Sequence, residues 1–183
     1  MDRFDELLKN IKESKKEIKI LPVSEKVKEG LNDKYRINQD SMLGTILFNS
    51  GGIIIENWIR IYGCGDINFC ERNNLFPYSD IVVAEDILGG LFVILNNGKI
   101  SYFAPDCLEW EHMELSYSEF ISWAFHGNTD LYYKDYRWNT WKKELKNIRN
   151  ENGISFYPFL WAEADSLESR SRKEIPMSEI IKF

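Results

Sequence analysis

The chain has 183 residues, with 23 Lys and Arg against 29 Asp and Glu, for a formal net charge of −6. That length suits one domain of roughly 100–200 residues, and its composition, 44% hydrophobic and 14% aromatic, excludes a disordered segment. The acidic balance argues against nonspecific nucleic-acid binding, and no apolar run approaches the roughly 18 residues of a membrane span.

Residues 1–17 read as an amphipathic helix, with Phe4, Leu7, Leu8 and Ile11 on one stripe. Their alternating charges leave no apolar stretch of the kind a signal peptide requires. Residues 18–183 read as a single α+β domain. In it, Ile18 to Val23 form a short apolar arm ending near Pro22, and Ser24 caps a helix over Lys26 to Leu31. From Met42 the texture turns to β: Thr45–Phe48, Ile53–Glu56 and Trp58–Tyr62 predict strands, broken by Gly51-Gly52. Gly63 to Ser79, with Asn73-Asn74 and Pro77, predicts an irregular loop.

Ile81–Ala84, Leu91–Leu95, the strand with Ile100, Tyr102 and Phe103, and Cys107–Trp110 predict an antiparallel meander. Asn96-Asn97-Gly98 supplies a hairpin turn, because Asn and Gly accept positive φ at little cost. The period then switches. Ser116 with Glu119 matches a capping box and opens a helix with Phe120, Trp123 and Ala124 on one face. Asn128 caps a short helix through Tyr133, and Trp138, Trp141 and Leu145 mark another. Ile154–Tyr157 and Phe159–Trp161 predict strands around Pro158, and Pro176 opens a last helix. The fold class is α+β, an antiparallel meander packed by helices.

The residues offer little for catalysis. Cys64, Cys70 and Cys107 are odd in number and not spaced with His112 or His126 for zinc, so no metal site is expected. Free thiols also make a reducing, cytoplasmic setting the expectation. Cys107 and His112 could pair as nucleophile and base, but their acidic surroundings would raise the thiol pKa. Gly89-Gly90 lacks the Lys-Ser/Thr of a phosphate loop and suits a turn. Asp86 and Asp106 could serve acid/base chemistry or simply shape turns. No catalytic residue and no cofactor is expected.

Charge is more informative. Residues 80–120 carry eight carboxylates against Lys99 alone, whereas residues 134–149 carry six basic residues against Asp135 and Glu144. An acidic face of this kind steers a basic partner and raises its on-rate. Asp86, Asp106, Glu109, Trp110 and Glu111 are the candidate partner-binding residues, Trp110 being an aromatic anchor between two acids.

The passage Ile81-Val82-Val83-Ala84-Glu85-Asp86-x-x-Gly89-Gly90-x-Phe92, then Gly98-Lys99-Ile100-x-Tyr102-Phe103-Ala104-Pro105-Asp106-x-Leu108-Glu109-Trp110, then Tyr117-Ser118-x-Phe120, resembles the core of the SUKH superfamily. Ser50-Gly51-Gly52-Ile53, Trp58-Ile59-Arg60-Ile61, Arg137-Trp138-x-x-Trp141 and Ser155 to Trp161 are similar to the signatures of a bacterial family of unknown function. That similarity covers roughly residues 18–183. The resemblance implies a SUKH-like α+β sheet domain without established enzyme activity or cofactor. It also implies a protein partner, since many SUKH proteins are immunity proteins that neutralise toxins, often nucleases. The leading expectation is therefore a non-enzymatic protein-binding module, with no nucleic-acid or membrane partner. Its acidic groups near Asp86, Asp106, Glu109 and Glu111 would occlude the basic residues of a nuclease. The alternative is a small-molecule or peptide-binding domain, or a hydrolase, using a cleft between the meander and the Trp-rich helices.

Overall fold

Apolar β-branched runs separated by tight turns build the centre of the molecule. In the computed structural model, which describes residues 2–76 and 79–181, seven strands form one sheet. They are β1 (Ile18–Ile20), β2 (Ile53–Ile55), β3 (Ile59–Ile61), β4 (Ile81–Asp86), β5 (Leu91–Ile94), β6 (Lys99–Ala104) and β7 (Glu109–Ser116). Spatial order equals chain order, and every neighbouring pair is antiparallel. The predicted turn at Asn96-Asn97-Gly98 is present, with Gly98 at φ +77°. A second tight turn joins β2 to β3 through Glu56 and Asn57, both at φ +54°.

Helices enter at the long connections. Helix α1 (Arg3–Glu13) is capped by Asp2, and α2 (Glu25–Lys34) by Ser24 as expected. Leu7 of α1 is buried in the common core, and past the helix end Ser14 donates to the Phe125 carbonyl at 2.6 Å. Residues 45–48 are not a strand: they lie in α3 (Met42–Asn49), which Ser41 caps. Gly44 through Phe48 are all buried. A helix apolar on every side leaves no period to distinguish it from a strand, and β-branched Thr45 and Ile46 tilt the local reading the wrong way.

The stretch read as an irregular loop contains a helix, α4 (Phe69–Asn74), started by the Asn68 side chain. Pro77, assigned to the same loop, lies outside the described residues. After β7 the capping box forms as predicted and opens α5 (Tyr117–His126). It is followed by α6 (Thr129–Tyr132), capped by Asn128, and α7 (Trp141–Glu144), which runs into a 3₁₀ turn at Leu145–Asn147.

A second sheet pairs β8 (Asn152–Tyr157) with β9 (Ser171–Pro176), and α8 (Met177–Ile180) closes the described chain. Phe159–Trp161 do not make the expected strand; they form the bend and turn beyond β8. Strand β9 was not legible because its charged residues lie on an exposed ribbon, where no buried face imposes alternation.

Trp58 is the hub beneath these helices. Its ring meets Tyr133, Trp138 and Trp141 at centroid distances of 5.2–5.8 Å. The Arg137 guanidinium lies over the Trp58 and Trp141 rings, 4.9 and 4.4 Å from their centroids, and pairs with Glu56 at 3.3 Å. The Trp-rich segment is therefore mostly core, joined to the sheet through stacking and charge.

Candidate functional site

The reversal between β6 and β7 organises the surface. Pro105 to Leu108 form the turn, closed by the Leu108 amide donating to the Ala104 carbonyl at 2.8 Å, with Leu108 at φ +59°. A recess opens on each side of it.

One recess is a groove of about 570 Å³ between this turn and the second sheet. Phe103, Pro105 and Leu108 make one wall, and Phe156, Phe159 and Trp161 are on the other. Leu108, Phe159 and Trp161 are 51%, 49% and 53% exposed, so a large apolar area faces solvent. The loop carrying the second wall is held in shape by one side chain. Arg170 donates to the carbonyls of Pro158 at 2.8 Å and Ala162 at 2.9 Å, and to that of Phe159. Phe159 and Trp161 stack on each other at 5.3 Å.

The second recess is smaller, about 90 Å³, and lies against α6. Tyr102, Tyr132, Tyr133 and Tyr136 surround it with Asp106 and Glu111. It shares Leu88 and Pro105 with the groove, so the two adjoin.

The five predicted partner-binding residues do not make one surface. Asp86 has no exposure at all and cannot meet a partner: it is a structural carboxylate. Its Oδ1 accepts from the amides of Leu88 and Gly90, both at 2.9 Å, and its Oδ2 from Tyr102 at 2.5 Å and Tyr133 at 3.1 Å. Burial raises its pKa, and these four donors work against that shift. A Cβ at Gly90 would collide with both the Asp86 carboxylate and the Tyr102 hydroxyl, which explains the second glycine of the pair.

Asp106 sits in the turn and accepts from the Tyr136 hydroxyl. Glu109, Trp110 and Glu111 are exposed on β7, which is the edge of the sheet. Alternation then separates them. Glu111 pairs with Tyr102 and lines the tyrosine recess, while Trp110 pairs with Phe103 and packs on its ring at 5.2 Å. The acidic side chains and the aromatic anchor thus serve two faces.

Sequence reasoning missed Phe159, Trp161 and Leu108 as surface residues. The available signal was Pro158 immediately before a short aromatic run that leads into acidic residues Glu163 and Asp165. Such a run suits a presented loop better than an interior strand.

The proposed Cys107–His112 couple does not assemble. Cys107 lies in the turn and His112 stands opposite Ser101 in β7, with no hydrogen bond between them. Desolvation and the carboxylates of Asp106, Glu109 and Glu111 push the Cys107 thiol up. Burial drives Cys64 up to about 11. Among the described residues no group of His, Cys, Asp and Glu is arranged to hold a metal ion, and no helix is long and apolar enough to cross a membrane.

The fold defines an α+β protein with a seven-strand antiparallel meander and two recesses beside its β6–β7 turn. The chain belongs to the family described as Protein of unknown function DUF2625, whose model matches residues 2–180 and so includes α1. It is similar to the uncharacterized protein YbfG of Escherichia coli (strain K12), with 31% identity over 93% of this chain and 84% of that protein. It is also similar to an uncharacterized protein of Haemophilus influenzae, with 26% identity over 74% of this chain and 68% of that one. No solved structure matches it. The wider likeness to the SUKH superfamily is not shown by these comparisons.

Proposed function

We propose that this protein is a non-enzymatic binding module that takes up an apolar segment of a protein partner in the groove beside the β6–β7 turn. One observation carries this reading: Leu108, Phe159 and Trp161 converge, half exposed, on a recess of about 570 Å³ whose loop is braced by Arg170. Aromatic anchors held in place lose little entropy on binding, which is where interface energy concentrates. Asp106, Glu109 and Glu111 on the β7 side favour a partner with Lys or Arg flanking its apolar anchor. In its narrower form the partner is a toxin domain, and these carboxylates occlude the basic residues it uses on phosphate. The SUKH-like passage and the acidic edge support that form.

Peptide-library selection on the immobilised chain tests the reading. The expected result is enrichment of sequences with an aromatic or aliphatic anchor next to Lys or Arg. Phe159→Ala/Trp161→Ala should lose capture, since anchors of about 2 kcal/mol or more each correspond to roughly 30-fold in Kd. Glu109→Lys/Glu111→Lys should slow association and flatten its salt dependence. No enrichment, or equal enrichment on the anchor variant, counts against the groove.

A further inference from the structure

The tyrosine recess has a chemical preference of its own. Tyr102, Tyr132, Tyr133 and Tyr136 give it aromatic walls, Asp106 and Glu111 give it charge, and neither Lys nor Arg lines it. Asp86 lies behind the rings, bound to the Tyr102 and Tyr133 hydroxyls. Among the described residues none of these three carboxylates forms an ion pair. Arg137 reaches the Tyr133 ring at 5.4 Å, but its charge is taken up by Glu56 and Asp130. Three acidic groups thus face aromatic rings without a cation of the protein's own.

The hydroxyl of Tyr132 adds a second observation. Its oxygen is shut off from solvent, and the group it turns to is the Glu111 carboxylate, outside good hydrogen-bond geometry. Hydroxyl and carboxylate both stand at the recess. The volume, about 90 Å³, corresponds to roughly three water molecules. It therefore admits a head group of a few non-hydrogen atoms and little more.

We propose that this recess binds the primary ammonium head of an alkylamine. Ring faces and carboxylates both attract a cation. The three N–H donors of an ammonium find acceptors in Asp106, Glu111 and the Tyr132 hydroxyl. A neutral group of the same shape would gain the hydrogen bonds without the charge. The ammonium can belong to a free small amine or to a lysine of a bound protein, and the site chemistry is the same for both. The recess shares Asp106 and Glu111 with the proposed partner surface, and in its lysine form the proposal rests on that reading, but the groove anchors Phe159 and Trp161 do not line it.

Tyrosine-ring NMR of the full chain, titrated with propylammonium chloride and with propan-1-ol at matched ionic strength, tests it. Propylammonium should shift the Tyr132 and Tyr136 resonances saturably, and propan-1-ol should not. Glu111→Gln and, separately, Asp106→Asn should each weaken binding at least fivefold. Phe159→Ala/Trp161→Ala should leave it unchanged even while losing peptide capture, which separates failure of this site from failure of the groove. Nα-acetyl-lysine N-methylamide distinguishes the sources. Tighter binding than propylammonium identifies a partner's lysine, and equal or weaker binding identifies a free amine. An equal response to the alcohol, no saturable shift, or affinity untouched by both carboxylate variants overturns the proposal and leaves a solvent-filled recess.

Discussion

Glu85 shows how much a single carboxylate can hold together in this molecule. It is fully buried and accepts from Arg72 Nε at 2.9 Å, Arg72 Nη2 at 3.1 Å and the Tyr62 hydroxyl at 2.8 Å, with Arg60 at 3.7 Å. Arg60, its cross-strand partner on β3, also donates to the carbonyls of Asn152 and Arg149. Glu85 therefore ties the main sheet to α4 through Arg72 and to the start of the second sheet through Arg60. Burial lowers Arg60, and Glu85 only partly restores it. Removing one partner of a buried pair costs about 3–5 kcal/mol, because the other charge is left unpaired. Glu85→Gln should therefore lower Tm by about 10 °C, read by differential scanning calorimetry. The exposed Lys9–Glu13 pair gives the contrast: Lys9→Ala should leave Tm within about a degree.

At the scale of elements, capping side chains did more to make the sequence legible than apolar periodicity did. Ser24, Ser116 and Asn128 were each read correctly as helix starts, and each makes its cap bond. At Ser116 the box is reciprocal: the Glu119 amide donates to Ser116 Oγ at 3.3 Å, and the Ser116 amide to Glu119 Oε2 at 2.7 Å. Ser116→Ala should cost about 1 kcal/mol and lower Tm by about 2–4 °C, while leaving the far-UV dichroism at low temperature unchanged. Where the cap was overlooked, at Ser41 and Asn68, the helix was lost with it. The strands of the meander were readable because their glycine and asparagine turns are local. Edge strand β7 was legible only in part: the expected strand, Cys107–Trp110, starts two residues early and misses the continuation to Ser116, where Glu111 and Glu114 carry no hydrophobic signal.

For the whole molecule, acid stability follows from how its carboxylates are held. Glu144 lies below its ordinary value of 4.5: its desolvation is outweighed by hydrogen bonds from Arg172 and Thr140. Glu174 is lowered by the Asn152 side chain and the Arg149 amide. A carboxylate whose folded pKa is depressed contributes stability above its unfolded pKa and loses it as pH falls through the folded value. Asp86 has the opposite sign. Raised by burial, it weakens the fold at neutral pH, and protonation relieves that cost. The urea midpoint should fall from pH 6 to pH 3.5, and Glu144→Gln/Glu174→Gln should make that fall shallower. An unchanged slope would mean that these two carboxylates are not those sensed.

The sequence by itself determined the α+β class, the antiparallel meander from Ile81 onward, most helix starts and the concentration of carboxylates in residues 80–120. All of these depend on neighbours a few residues apart: turn residues, caps, apolar runs and local charge. Tertiary structure alone decided which carboxylates reach solvent. Glu85 and Asp86 sit in an apolar run, but their side-chain donors come from residues 62, 72, 102 and 133, and only the Leu88 and Gly90 amides are local to Asp86. It also decided that Glu111 and Trp110 serve opposite faces of β7, and that Phe159 and Trp161 stand outside the core. Those outcomes depend on strand register and on the packing of segments some fifty residues apart, where local pattern carries no information.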